Sequence, residues 1–268
     1  MFSSVVITGA SRGLGAALAQ RFAAPGVTLH LIGRDAEALA ATEAACAPAT
    51  VKTARIDVRD AEAMAAQLAA WDAESPIDLA IANAGIAAGT RPGGAREGLA
   101  AIRTQLDTNM MGALHLVEPL LPALLSRGRG SIALVTSLSA FRGLPDSAGY
   151  CASKAALWSY GEALRAETAP KGLRVTLVAP GFFDSAMGER WVGARPLSIS
   201  AEAAAIKVER AIRKGAARMA FPWPLALALR LSPLAPSRLV DAIVRSMDFR
   251  IKEYTEKGAP PPSPPAGT

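Results

Sequence analysis

Residues that build disulfides and metal sites are scarce in this chain. Its 268 residues include two cysteines and two histidines. Two cysteines make no disulfide framework, so Cys46 and Cys151 read as reduced thiols of an intracellular protein. His30 and His115 lie in apolar segments without ligand-spaced partners, and no metal site is expected. No serine stands in a Gly-x-Ser-x-Gly elbow, which removes that type of serine hydrolase. Charged residues make up only 19% of the chain, too few for a disordered, self-repelling polymer. Lys and Arg number 29 against 23 Asp and Glu, but they are scattered and make no run. Nucleic acid is therefore not an expected partner, and the excess is a surface bias toward anionic ligands such as phosphorylated cofactors. Long apolar runs are missing too. Met219 to Leu229, bounded by Arg218 and Arg230 and holding two prolines, falls far short of the roughly 20 residues of a membrane span. Met1-Phe2-Ser3-Ser4 runs into a strand-like segment with no basic leader, so the expected location is the cytoplasm.

What is present is apolar: 51% of the residues, enough for a sizeable core. The length suits one large α/β domain or two small ones. Short apolar runs alternate with Ala-rich helical segments, the pattern of a parallel sheet covered by helices. Strands are expected at Val5–Ile7, Thr28–Ile32, Val51–Ile56, Leu79–Ala82, Ser131–Thr136 and Arg174–Val178, with a short last one at Arg218–Phe221. Helices are expected from Leu14 to Ala24, from Asp35 to Cys46, from Asp60 to Trp71 and from Gly149 to Thr168. Another runs from Ala201 to Lys214. A long helical stretch ending near Ser126 contains Asn109 and Gly112, poor helix formers that predict a kink. Pro222 to Met247 is Leu-rich and interrupted by prolines. The Pro-dominated tail, residues 258–268, is expected to be disordered.

Between the first strand and first helix stands Thr8-Gly9-Ala10-Ser11-Arg12-Gly13-Leu14-Gly15. Glycines there let the backbone approach a pyrophosphate, and the free N–H groups of the helix start stabilise its charge. Its spacing, Gly-x-x-x-Gly-x-Gly, differs from the standard Gly-x-Gly-x-x-Gly, but its strand-to-helix position is the required one. The second strand ends Leu31-Ile32-Gly33-Arg34. Gly33 offers no carboxylate to a ribose, whereas Arg34 and Arg12 suit a 2′-phosphate. NADP is therefore preferred to NAD. Asp35 is the rival ribose ligand, though it also suits the helix cap.

Tyr150 and Lys154 are four apart on one helix face. An ammonium beside a phenol favours the phenolate and makes the hydroxyl a usable acid or base. Ser137 stands at the carboxyl end of the fifth strand, where ligands of doubly wound folds bind, and Ser139 is close by. Cys151 reads as a small buried thiol rather than a nucleophile.

Together these residues resemble the short-chain dehydrogenase/reductase family over residues 1–190. Thr8 to Gly15 resembles its cofactor turn. Ala82-Asn83-Ala84-Gly85 resembles its Asn-Asn-Ala-Gly segment, departing at Ala82. Asn109, Ser137, Tyr150 and Lys154 match its four catalytic positions. Pro180-Gly181 matches the motif after the sixth strand, with Ser185 replacing the usual threonine. The resemblance implies an α/β, doubly wound Rossmann-type parallel sheet with helices on both faces, as a single domain over residues 1–257. It implies that Tyr150 exchanges a proton with the substrate oxygen and that Ser137 orients the carbonyl. Lys154 would lower the Tyr150 pKa and hold the nicotinamide ribose, and Asn109 would support a water leading to Lys154. Gly9, Ser11, Arg12, Gly13, Leu14, Gly15, Arg34, Asp57, Val58, Asn83, Ala84 and Gly85 would bind the cofactor, with Tyr150, Lys154, Pro180, Gly181, Phe183 and Ser185. A homodimer or homotetramer is implied.

Phe182, Phe183, Met187, Trp191 and Val192 predict an apolar lid within residues 182–198, and residues 219–250 extend the apolar character. A lipophilic carbonyl or alcohol is one reading; ordinary packing or a subunit interface is the other. Arginines accompany the apolar C-terminal segments, yet the prolines speak against a membrane-binding amphipathic helix. The expected activity is NADP-dependent interconversion of a ketone or aldehyde and an alcohol. The alternatives are a non-catalytic NADP(H)-binding sensor or scaffold, and a dehydratase or epimerase.

Overall fold

The computed structural model describes residues 2–89, 96–192, 195–246 and 250–251. Seven strands form one parallel sheet: β1 (Ser4–Thr8), β2 (Thr28–Gly33), β3 (Thr50–Arg55), β4 (Leu79–Ala82), β5 (Gly130–Val135), β6 (Leu173–Pro180) and β8 (Arg218–Phe221). Their order is β3-β2-β1-β4-β5-β6-β8. A two-residue ladder pairs β7 (Trp191–Val192) with β9 (Arg250–Ile251). The chain winds outward from β1 to β3, then returns to pair β4 with β1 and winds the other way. That reversal opens a crevice beyond the carboxyl ends of β1 and β4.

Alternation along β1 shows how the layers arise. Val5 and Ile7 point into one core and Val6 into the other, because successive strand residues face opposite sides. One face is covered by α3 (Ala61–Glu74), α5 (Gly112–Arg127) and α6 (Ala148–Thr168), through Met64, Leu68, Leu116, Leu120 and Leu157. The other is covered by α1 (Gly13–Phe22), α2 (Ala36–Ala44) and α8 (Ala201–Arg213), through Leu18, Phe22, Leu39, Val208 and Ile212. A sheet buried on both faces needs the near-continuous apolar strands found here.

The kinked helix expected before Ser126 is three pieces. They are α4 (Gly98–Leu106), a π-helical turn at Asp107–Met111, and α5. The irregular turn carries Asn109, and such turns accumulate at functional sites. The prolines expected to interrupt the Leu-rich segment sit at or just before the starts of its separate pieces. Pro224 lies in the first turn of α9 (Trp223–Leu231), Pro233 in the short 3₁₀ turn Ser232–Leu234, and Pro236 immediately before α10 (Ser237–Ser246). In a first turn the missing N–H has no partner to lose. Ala186–Glu189 forms the one-turn α7. Among the described residues no helix is long and apolar enough to cross a membrane. The tail expected to be disordered lies outside the described residues.

Candidate active site

At the end of β1 the chain turns through Gly9 with φ +66°, a conformation that disfavours side chains. A Cβ on Gly15 would lie 2.2 Å from the Gly9 carbonyl oxygen, so only glycine lets α1 start this close to the turn. Asn83 locks the turn from β4. Its Nδ2 donates to the carbonyls of Thr8 at 3.0 Å and Gly9 at 3.3 Å. Thr8 Oγ1 in turn accepts from the amides of Asn83 and Ala84. Arg12 occupies the N-cap of α1 without a side-chain cap bond. The first-turn N–H groups therefore face the crevice without an intrahelical partner. This glycine cradle at a helix N-terminus fits the pyrophosphate of a dinucleotide.

The basic rim follows the expected positions. Arg12 ion-pairs with Asp35, and both are well exposed. The other Asp35 oxygen accepts from Ala38 N at 3.1 Å, so Asp35 also caps α2. Arg34 Nη1 lies 3.6 Å from Asp57 Oδ2. Asp57 accepts from Arg59 through its backbone N, Nε and Nη2. Burial pushes the Asp57 carboxyl up, but the Arg59 hydrogen bonds and the Arg59 and Arg34 charges outweigh it and hold it below its ordinary value.

Tyr150, Ser137 and Lys154 meet on the opposite side of the crevice. Ser137 caps the 3₁₀ turn after β5, accepting from Ser139 N at 3.1 Å, and its hydroxyl donates to Ser139 Oγ at 3.2 Å. Lys154 is 3% exposed. Its Nζ donates to Val135 O at 3.0 Å and lies 5.8 Å from the centre of the Tyr150 ring. Burial lowers Lys154 to about 8. Burial raises Tyr150 to about 12, against the pull of the Ser137 hydrogen bond. The phenol thus stands above its ordinary value. Desolvation dominates. Burial also raises the Cys151 thiol, in keeping with an inert packing residue.

Asn109 is fully buried behind Gly85. Its Oδ1 accepts from Ile86 N at 2.7 Å, and its Nδ2 donates to Ile86 O and to Ser153 Oγ, both at 2.9 Å. Ser153 Oγ donates to Tyr150 O at 2.7 Å. Sequence reasoning missed Ser153; its one available signal is its place between Tyr150 and Lys154 on the same helix.

One cavity of about 1710 Å³ joins cradle, rim and hydroxyls. Every expected site residue lines it except Gly15, packed beneath the turn, and Asn109, which acts from behind the wall. Ser185 caps α7, accepting from Gly188 N at 3.0 Å, and its Cβ lies 3.7 Å from the ideal Cβ position at Gly13. Gly181 N donates to Phe221 O at 2.6 Å. The remaining wall is apolar. It includes Phe182, Phe183, Met187, Trp191, Leu225 and Leu229, with Phe182 and Trp191 edge-to-face at 4.8 Å.

These features define a doubly wound, Rossmann-type fold with a glycine cradle at its crevice. The chain belongs to the short-chain dehydrogenase family, whose model matches residues 3–195. It is 36% identical to an uncharacterized oxidoreductase of Myxococcus xanthus over 92% of this chain and 98% of that protein. It is 37% identical to the ketoacyl reductase HetN of Nostoc sp. over 67% of this chain and 63% of that one. A short-chain dehydrogenase of Burkholderia cenocepacia, solved in complex with NADP, is 30% identical with a TM-score of 0.76, covering 91% of this chain and 97% of its own.

Proposed function

We propose that this oxidoreductase interconverts a lipophilic ketone or aldehyde and its alcohol, using NADP(H) in preference to NAD(H). The single observation that carries the reading is the continuity of the cavity from the glycine cradle, past Ser137 and Tyr150, to an apolar wall. The Burkholderia neighbour bound to NADP supports the nucleotide.

A nicotinamide held here supplies and accepts the hydride. Ser137 donates to the substrate carbonyl and fixes its orientation. Tyr150, kept protonated by burial, gives its proton to the developing alkoxide and takes one back in the reverse direction. Lys154 holds the ribose hydroxyls and, while charged, steadies the phenolate. Asn109 keeps the loop at Ile86 and the first turn of α6 in place. Arg12 and Arg34 face the 2′-phosphate. Their partners Asp35 and Asp57 are at least partly exposed, and such surface pairs cost only about 0–1 kcal/mol to exchange for a phosphate.

The apolar wall selects the substrate. Leu231 and Ile243 both line the cavity and are about half exposed, so the rim continues the apolar lining outward. Turnover of NADPH against compact polar, aromatic and long-chain ketones tests the whole reading. Tyr150→Phe is expected to lose most turnover and keep nucleotide affinity. Retained turnover, or a preference for the compact polar ketones, overturns it.

A further inference from the structure

The first turn of α6 carries Tyr150, and its N-terminus is capped from elsewhere. Helix N-termini leave four N–H groups without intrahelical partners. The local N-cap, Ser147, makes no side-chain cap bond. Instead Gly149 N donates to Glu97 Oε2 at 2.9 Å. Glu97 stands immediately before α4 and is 4% exposed. Its other oxygen accepts from Gln105 Nε2 at 3.4 Å. Gln105 is fully buried, and its Oε1 accepts from Ala88 N at 3.0 Å. A chain of hydrogen bonds thus runs from Ala88 through Gln105 and Glu97 to Gly149.

Its placement repeats that of Asn109 one turn away. Gln105 and Asn109 are four apart, and so are the residues they serve on α6, Gly149 and Ser153. On the loop side they take Ala88 and Ile86, two apart in the chain. The junction is tightly built. A Cβ on Gly149 would lie 2.6 Å from Gln105 Nε2 and 3.0 Å from Ile102 Cα. The loop thus held contributes Ile86 and Ala87 to the cavity wall, and Arg190 from the lid donates to Ala87 O at 2.7 Å.

The geometry points to Glu97, acting through Gln105, as a positioning pair that fixes the Tyr150 turn and the substrate loop relative to each other. Neither residue touches the reacting atoms. This inference rests on Tyr150 as the proton donor. A buried hydrogen-bond chain with one member removed leaves both ends to shift, and displacements near 1 Å at a reacting group slow chemistry strongly.

Glu97→Ala and Glu97→Gln, compared with the full-length wild type, test it. Glu97→Ala is expected to lower kcat about tenfold while NADPH affinity, read by fluorescence, stays within about twofold, because the cradle lies across the crevice. Amide hydrogen exchange is expected to rise together at residues 86–88 and 148–152 and stay unchanged at residues 9–15. Glu97→Gln still accepts from Gly149 N but has no second oxygen for Gln105 Nε2, and is expected to recover protection at residues 148–152 and part of kcat while exchange at residues 86–88 stays raised. Full kcat in Glu97→Ala, equal loss of kcat in Glu97→Gln, or exchange in Glu97→Ala confined to one of the two segments overturns the inference. Should Glu97→Ala fail to fold, Gln105→Leu cuts the same chain, and unchanged exchange at Ala88 and Gly149 is then the overturning result. The exchange readout needs no substrate. A wild type without carbonyl turnover would therefore overturn the functional proposal and leave the clamp to be decided by exchange alone.

Discussion

Lys154 concentrates the chemistry of the site in one buried ammonium. Burial lowers it from 10.5 to about 8, so its charge is present below about pH 8 and lost above it. A site that uses this charge to hold ribose and steady a phenolate should show kcat/KM for reduction falling as pH rises through about 8. That quantity reports the free enzyme. Lys154→Arg keeps a cation at all accessible pH and is expected to lower activity yet lose this limb. A limb of unchanged position in the arginine variant would assign it to another group. The rim makes a second prediction. Arg34→Ala should weaken NADPH by about tenfold, the 1.4 kcal/mol of one phosphate contact, and leave NADH nearly unchanged; equal losses in titrations of both nucleotides would remove the specificity argument. These residues were legible because their chemistry is tied to local spacing: a glycine turn after a strand, a tyrosine and lysine one turn apart. Ser153, Gln105 and Glu97 were not. They act through bonds between segments distant in the chain, and nothing in their own neighbourhoods marks them.

Elements are placed by polar joints as well as by the two cores. Asp72, near the end of α3, receives both guanidinium nitrogens of Arg127 at the end of α5, at 2.8 and 3.0 Å. The same carboxylate accepts from Ile77 N at 2.8 Å, and Arg127 donates to Ile77 O at 2.9 Å. One bidentate pair thus ties two helices of one layer to the approach to β4. Burial pushes Asp72 up, but the Arg127 hydrogen bond, the Ile77 amide and the Arg127 charge prevail and lower it. A carboxylate with a depressed folded pKa contributes stability above its unfolded pKa and loses it as pH falls through the folded one. Asp72→Ala is expected to lower stability by about 2 kcal/mol, seen as a reduced urea midpoint at neutral pH with an unchanged slope. An unaffected midpoint would mean the cores alone set the helix positions. The π-helical turn at Asp107–Met111 belongs to this scale too. Asn109 and Gly112 announced an irregularity; its form is set by Asn109 reaching the loop and α6 at once, which no local pattern records.

Across the whole molecule, the sheet and its helices were readable because buried parallel strands and amphipathic helices impose periods on the sequence. The part beyond β6 was less so. Its apolar residues divide between cavity wall, as with Leu225 and Leu229, and surface, as with Trp223 at 71% exposure; composition alone does not separate those fates. Global stability carries one feature that composition also hides. His30 lies in β2 under Trp71, ring centres 4.8 Å apart, with Nε2 3.1 Å from Ser4 Oγ of β1. Burial, with Lys52 nearby, lowers it to about 4, against the opposing pull of Glu74 and Asp72. An unfolded histidine titrates near 6.5, so between about pH 6.5 and 4 the unfolded chain binds a proton that the folded one refuses. Stability therefore falls as pH drops through this window, by at most about 3 kcal/mol for the full shift. Among the described residues the depressed carboxylates Asp57, Asp72, Glu74, Glu202 and Glu209 act mainly below about pH 5, which leaves the upper part of the window to His30. The urea midpoint is expected to decline from pH 7 to pH 4.5, and His30→Leu, which packs on Trp71 without titrating, to flatten that decline even if its midpoint at pH 7 is lower. An equally steep decline in the leucine variant would place the acid sensitivity elsewhere.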